Sequence, residues 1–212
     1  MFSTTIAALR FSATICLLWL IVPAVGSATS NDVVLVVGDS LSAGYGIPLS
    51  AAWPELLQQR LAEKGYDDRV ENASISGDTS RGGLARLPTL LRTHAPKIVV
   101  LELGANDGLR GIAIPDIERN FRKMLDLIDA TGAMILLLEM RVPPNYGPGY
   151  ATQFDQLYAR LEQTHELRLV PFFLRNVVLD RSLMQNDGLH PNALAQPKML
   201  DNVWVYLEDI FP

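Results

Sequence analysis

Val33-Val34-Leu35-Val36-Val37-Gly38-Asp39-Ser40-Leu41-Ser42 decides how the rest of the chain is read. Five consecutive aliphatic residues without polar alternation describe a strand buried on both faces, as in parallel sheets. Gly38-Asp39 ends the run, so Ser40 falls just past the carboxyl end of the strand, where open sheets of this kind place their ligands. A serine hydroxyl becomes a nucleophile only when a base takes its proton, and the base needs a third group to fix its tautomer. The chain has only three histidines. One of them, His190, follows Asp187 by three positions in Asp187-Gly188-Leu189-His190-Pro191.

Outward from the first strand, aliphatic runs alternate with segments of helical period. Residues 53–62 carry leucines at helical spacing, with Pro54 acceptable in a first turn. Residues 69–74 form a weaker strand candidate ending at Gly77-Asp78, and 79–93 read as a helix that Pro88 should bend. Residues 97–103 are the clearest later strand and run into Gly104-Ala105-Asn106-Asp107-Gly108. A helix is expected over 116–130, capped by Asp116 and closed by Gly132. After it come a strand over 134–140, a long loop over 143–149 and a helix over 154–164. A strand over 168–174 and a closing helix over 193–210 complete the chain. This alternation implies an α/β domain with a mostly parallel sheet covered on both faces. Ser40, Gly77, Asn106 and the 187–190 loop then share one sheet edge.

The chemistry that suits this edge is acyl transfer. Ser40 is the candidate nucleophile, His190 the general base and acid, and Asp187 a buried carboxylate that orients the imidazole. Candidate oxyanion donors are the backbone N–H of Ser40, the backbone N–H of Gly77 and the side-chain amide of Asn106. Glycine permits close backbone approach at 77, and an amide donates at 106 where a carboxylate would repel. Ser42, rather than Ser40, is expected as the helix cap. Asp39 and Asp107 read as turn and scaffold residues, and His94 and His165 as helix-end residues without a catalytic part. The glycines of 104–111 allow either a flap over the substrate or a static turn. Leu109, Ile112, Pro144 and Tyr146 are candidates to line the substrate pocket.

Residues 1–28, with the boundary within three, have the pattern of a secretory signal peptide. Arg10 precedes an almost wholly apolar stretch, and Gly26-Ser27-Ala28 supplies small residues at its exit. The apolar stretch is short for a membrane span, which needs ~20 residues. Cys16, the only cysteine, lies inside it, so the mature chain is expected to carry no disulfide, thiol nucleophile or thiolate metal site. Residues 29–212, about 185 in number, suffice for a single domain with a full core. The chain's formal charge is −5, one unit more acidic without the leader, and it shows no basic stripe. Binding to nucleic acid or to an anionic membrane by charge is therefore not expected. Neither a cofactor nor a metal is called for, and a monomer is the expectation.

The blocks around Ser40, Gly77 (Ser74-Ile75-Ser76-Gly77-Asp78-Thr79-Ser80), Asn106 (Gly104-Ala105-Asn106-Asp107-Gly108-Leu109-Arg110) and His190 together resemble the four sequence blocks of the GDSL, or SGNH, hydrolases. The resemblance runs over residues 33–197. Segments 72–80 and 83–88 are similar to those of the bacterial thioesterase, lysophospholipase and arylesterase branch of that family. It implies a flavodoxin-like three-layer α/β/α fold with strand order 2-1-3-4-5. It also implies metal-free hydrolysis of small-molecule acyl esters and thioesters (acyl-CoA, lysophospholipid, aryl esters) in the periplasm. By the same resemblance Ser40, Asp187 and His190 are the triad, and Ser40, Gly77 and Asn106 form the oxyanion hole. Glu139 departs from the pattern, standing where an uncharged polar residue is expected. A carbohydrate O-acetyl esterase is the alternative within the family, and a non-catalytic ligand-binding flavodoxin-like domain the alternative outside it.

Overall fold

The computed structural model describes residues 1, 2 and 32–211. All but the first two residues of the expected signal peptide, Cys16 included, lie outside the described residues. Strands β1 (Val33–Gly38), β2 (Arg69–Asn72), β3 (Ile98–Glu102), β4 (Met134–Leu138) and β5 (Arg168–Val170) form one sheet in the order β2-β1-β3-β4-β5. Every pairing is parallel. β1 and β3 are buried along their whole length, which is why their sequences lack alternation.

Parallel strands need crossovers, and these supply the helices. In chain order they are α1 (Ser40–Ala43), α2 (Trp53–Glu63), α3 (Ser80–His94), α4 (Ala105–Leu109), α5 (Ile114–Asp129), α6 (Pro148–Glu162) and α7 (Gln196–Trp204). α2 packs on α7, while α3 packs on α5 and α5 on α6, giving helices on both faces of the sheet. In α5, Ile117, Phe121, Met124, Leu125 and Ile128 recur at helical spacing and are all buried. Trp53, Phe121, Phe154, Tyr158 and Phe173 fill the core beside the strand aliphatics.

Several element boundaries differ from the sequence reading, mostly at prolines. α5 begins at Ile114, with Ala113 at its cap and Pro115 in its first turn. Asp116 is therefore inside the helix, since proline needs no N–H partner there. α6 likewise begins at Pro148, inside the stretch expected as loop. β5 stops at Val170, before Pro171, which has no N–H for the ladder. α3 carries through Pro88 to His94. The closing segment is a 3-10 turn at Ala193–Ala195 followed by α7, which ends at Trp204.

From β1 the chain crosses to β2 on one side and then returns past β1 to β3 on the other. The connections leave β1 and β3 in opposite directions, and a crevice opens between their carboxyl ends. Gly38 pairs with Glu102 in register, so the two strand ends are level where α1 and α4 begin.

Candidate active site

Ser40 is the first residue of α1, and its cap is Asp39, whose Oδ1 accepts from the Leu41 N–H at 3.1 Å. Ser42 is not the cap. Its hydroxyl donates to Glu102 Oε2 at 2.7 Å and accepts from the Trp53 indole N–H at 3.1 Å. The Ser40 N–H belongs to the group of helix-start donors that have no partner within their own turn.

His190 reaches Ser40 across 150 residues of sequence, its Nε2 lying 3.0 Å from Ser40 Oγ. Asp187 Oδ2 lies 2.7 Å from Nδ1 of the same imidazole. A carboxylate only accepts, so Nδ1 carries the ring proton and Nε2 faces the serine as an acceptor. Asp187 Oδ1 also accepts from the Leu189 and His190 backbone N–H groups at 2.9 and 3.0 Å. Gln185 ties this loop to the serine segment by donating to the Tyr45 carbonyl at 2.7 Å and to the Pro191 carbonyl at 3.0 Å.

The Asp187 side chain is 42% exposed, whereas a buried carboxylate was expected. The backbone N–H and then the imidazole of His190, followed by the Leu189 N–H, hold its carboxyl down at about 2, so hydrogen bonding fixes the charge where burial does not.

Gly77 follows β2 with φ of 81°, a conformation that favours glycine. Its carbonyl accepts from Arg110 Nη2 at 2.8 Å, and no described residue accepts from its N–H. Arg86 secures the segment from α3, pairing with Asp78 at 2.8 Å and donating to the Gly38 carbonyl at 3.2 Å and to the Ala73 carbonyl. Asn106 lies in α4 and donates one amide hydrogen to Asp39 Oδ2 at 2.9 Å, which leaves the other for a ligand. α4 itself is fixed to α3 by Asp107, which accepts from the Ser80 N–H at 2.7 Å and the Ser80 hydroxyl at 2.5 Å.

Ser40, Gly77, Asn106 and His190 line one cavity of about 890 Å³, together with Leu109, Met140, Val142, Phe172 and Leu174. Ile112 and Tyr146, expected in the pocket, do not line it. The loop between β4 and α6 forms a 3-10 turn at Pro144–Tyr146. From this region the Tyr146 hydroxyl donates to the Leu109 carbonyl at 2.8 Å and the Tyr150 hydroxyl to the Ile112 carbonyl at 2.7 Å. Both tyrosines thus brace the segment that carries Leu109. Pro144, also expected to line the pocket, has a side chain outside those described. Glu139 is buried and pairs with Arg141 at 3.0 Å, so its charge is balanced beside the cavity; Arg141 itself lines the cavity and stacks on Phe172 at 4.8 Å.

His94 ends α3 beside Glu71, and His165 lies past α6 near Asp126; neither approaches the site. Among the described residues no group of three or more His, Cys, Asp or Glu is placed to hold a metal ion.

The profile of the GDSL-like lipase/acylhydrolase family matches residues 36–196, a span that includes every residue of this constellation. The chain belongs to that family. Esterase TesA of Pseudomonas aeruginosa is 52% identical over 83% of this chain and 88% of its own. The arylesterase of Vibrio mimicus is 48% identical over 81% and 86%. Thioesterase 1/protease 1/lysophospholipase L1 of Escherichia coli is 47% identical over 82% of each chain. A crystal structure of TesA matches with a TM-score of 0.82 at 50% identity, covering 85% of this chain and all of the other. Psychrotrophic esterase EstA from Pseudoalteromonas sp., in a structure inhibited by monoethylphosphonate, matches at 0.81 and 38% identity over 84% and 98%.

In this GDSL-like hydrolase three site neighbours have no motif of their own. Tyr45 lines the cavity with its ring centroid 4.5 Å from that of His190. Arg86 stands in the family-like segment 83–88, but nothing in that segment assigns it a part in the site. Glu102 reads as a strand residue in an aliphatic run. Only burial of a carboxylate inside that run signals something unusual.

Proposed function

We propose that this GDSL-like hydrolase is a serine esterase and thioesterase that cleaves acyl esters and thioesters through an acyl-enzyme on Ser40. The observation that carries the reading is the unbroken relay from Ser40 Oγ to His190 Nε2 (3.0 Å) and from Nδ1 to Asp187 (2.7 Å) at the wall of an apolar cavity. Ser40 Oγ attacks the acyl carbon while its proton passes to His190 Nε2. The carbonyl oxygen becomes an oxyanion facing the Ser40 and Gly77 N–H groups and the second N–H of Asn106. Each such donor contributes about 2.7–4 kcal/mol to the transition state. As the tetrahedral intermediate collapses, the bond to the leaving oxygen or sulfur breaks, and that atom takes the proton from His190. Water then repeats the sequence on the acyl-enzyme, releasing the carboxylic acid and free Ser40.

The aliphatic and aromatic lining suits an acyl chain better than a sugar, whose hydroxyls need polar partners. Acyl-CoA, lysophospholipid and aryl esters are the substrate classes this reading names. Hydrolysis of p-nitrophenyl butyrate by the Ser40→Ala variant tests it. Activity should vanish while the circular dichroism spectrum is kept, and substantial remaining turnover would remove Ser40 from the mechanism.

The proposal extends to export. Residues 1–28 act as a cleaved leader, and residues 29–212 work as a monomeric domain in the periplasm. Among the described residues no helix is long and apolar enough to cross a membrane. N-terminal sequencing of the protein from a periplasmic extract should begin within three residues of position 29; an intact Met1 would contradict this part.

A further inference from the structure

Two carboxyl groups lie buried behind the nucleophile, and the Ser40–His190–Asp187 relay uses neither of them. Glu102 is fully buried and Asp39 is 1% exposed. The β1–β3 register brings them together, and Gly38 leaves the room, since a Cβ there would sit 2.7 Å from Glu102 Oε2. Glu102 Oε2 accepts from the Ser42 hydroxyl at 2.7 Å and from the Asp39 backbone N–H at 3.2 Å. Its other oxygen, Oε1, is buried with no partner among the described residues. Asp39, by contrast, is satisfied at both oxygens, by Leu41 and by Asn106.

The surrounding groups decide which of the two stays ionised. Asp39 feels the imidazole of His190, which becomes a cation during attack. Arg86, at the Gly38 carbonyl, is already paired with Asp78. Tyr158 from α6 spends its hydroxyl on the Leu103 carbonyl, and Asp107 from α4 adds a further buried carboxylate. No ion pair reaches Glu102 among the described residues. Two adjacent buried carboxyls, one with a bare oxygen and no cation, hold a proton between them, and it belongs on the unpartnered one.

We propose that Glu102 is a positioning residue that works as a neutral acid, so that Asp39 is the single carboxylate behind the oxyanion site and aims the amide of Asn106. The inference deepens the serine hydrolase reading and rests on Asn106 as an oxyanion donor. Burial pushes Asp39 up to about 6 and lifts Glu102 well above the ordinary carboxyl range, the Asp39 charge adding to the effect of burial at Glu102. Above about pH 6, therefore, Asn106 donates to a carboxylate, a stronger bond than one to a neutral acid; below it, that anchor weakens.

Infrared spectroscopy of the full protein at pH 8 tests the charge state without any turnover. A protonated carboxylic-acid C=O band should be present in the parent and absent in Glu102→Gln; a parent without the band overturns the proposal. Should Glu102→Gln not fold, isotopic labelling of the glutamate carboxyls in the parent must shift the band, and a band that does not move overturns the proposal equally. The kinetic arm uses p-nitrophenyl butyrate. Asp39→Asn turns an amide donor toward Asn106, so kcat should fall about 10²-fold or more with KM within about threefold. On the acid side, log(kcat/KM) should fall more steeply in the parent than in Asp39→Asn, since only the parent has a carboxyl at 39 that must be ionised. Glu102→Gln, the isostere of the neutral acid, should rescue kcat to within about threefold of the parent with the parent's slope. A parent profile no steeper than that of Asp39→Asn, or a kcat in Glu102→Gln as low as in Asp39→Asn, overturns the inference. Reaction of Ser40 with a fluorophosphonate should survive in Asp39→Asn, so a failure of the serine reading itself shows separately as an unlabelled parent.

Discussion

Asp187 carries its charge in the open, and this sets what acid does to the enzyme. With its carboxyl held at about 2 by the His190 and Leu189 hydrogen bonds, it stays ionised well below the pH at which Asp39 protonates. Loss of activity as pH falls through about 6 is therefore assigned to Asp39 and not to Asp187. Asp187→Asn presents an N–H to Nδ1 and selects the wrong tautomer. Steady-state kinetics should show kcat falling by up to about 10⁴-fold; near-parental kcat would mean that the carboxylate does not orient the ring. Asn106→Ala should lower kcat about 10²- to 10³-fold with KM little changed. Ser40 is legible in the sequence because it stands in a turn after an aliphatic run, and Asp187 and His190 because one of only three histidines follows a carboxylate by three positions. Glu102, Tyr45 and Arg86 are not, because their roles come from the strand register and from loops that meet only in space. Glu102 touches the Asp39 N–H across 63 residues, and nothing near it in sequence announces that.

The two shortest helices carry the most chemistry. α1 has four residues and α4 five, far too short to be stable alone. The Asp39 cap holds the first, and the Asp107–Ser80 bonds hold the second. Gly104 opens α4 at φ of 105°, and a Cβ there would lie 2.4 Å from the Tyr158 hydroxyl. Gly111, at φ of 63°, has nothing within 4 Å of its Cβ position. Urea unfolding should therefore show Gly111→Ala costing only the left-handed strain of about 1–2 kcal/mol. Gly104→Ala should cost more, and it should also lower kcat by moving Asn106. Equal costs at the two sites would contradict the packing argument. The existence and order of the long elements follow from aliphatic periodicity, while the start of α5 differs because Asp116 reads as a cap, and that of α6 because Pro148 reads as part of a loop. The pocket assignments of Ile112 and Tyr146 failed for a related reason. The turn at Pro144–Tyr146 and the start of α6 put Tyr146 and Tyr150 to work on backbone carbonyls.

At the scale of the whole molecule, the parallel sheet gathers residues 40, 77, 106 and 187–190 at one edge and provides an apolar cavity beside them. Each added acyl methylene that enters it should gain about 0.8 kcal/mol, or roughly fourfold in kcat/KM. A p-nitrophenyl ester series from acetate upward should climb by that factor until the cavity is full, and a flat series would remove the acyl-chain role of the lining. The buried carboxyls leave a signature in global stability as well. Asp39 is raised in the folded state, so its contribution is full below about pH 4 and is lost as pH rises through about 6, and Glu102, raised well above the ordinary carboxyl range, acts in the same sense. Asp187 is depressed and acts in the opposite sense, its contribution lost as pH falls toward about 2. Thermal unfolding between pH 4 and 8 should thus show a decline that Asp39→Asn flattens; parallel curves for the two proteins would refute it. The α/β class and its sheet were readable from the chain because burial on both strand faces leaves so plain a pattern. The cavity was not, since its walls come from five separate loops.

The most direct measurement is peptide mapping by mass spectrometry after treatment with a fluorophosphonate at neutral pH. One phosphonyl group should be found, on Ser40, with labelling strongly slowed in His190→Ala and absent in Ser40→Ala. An unmodified Ser40, or a label that forms equally fast without His190, would contradict the account.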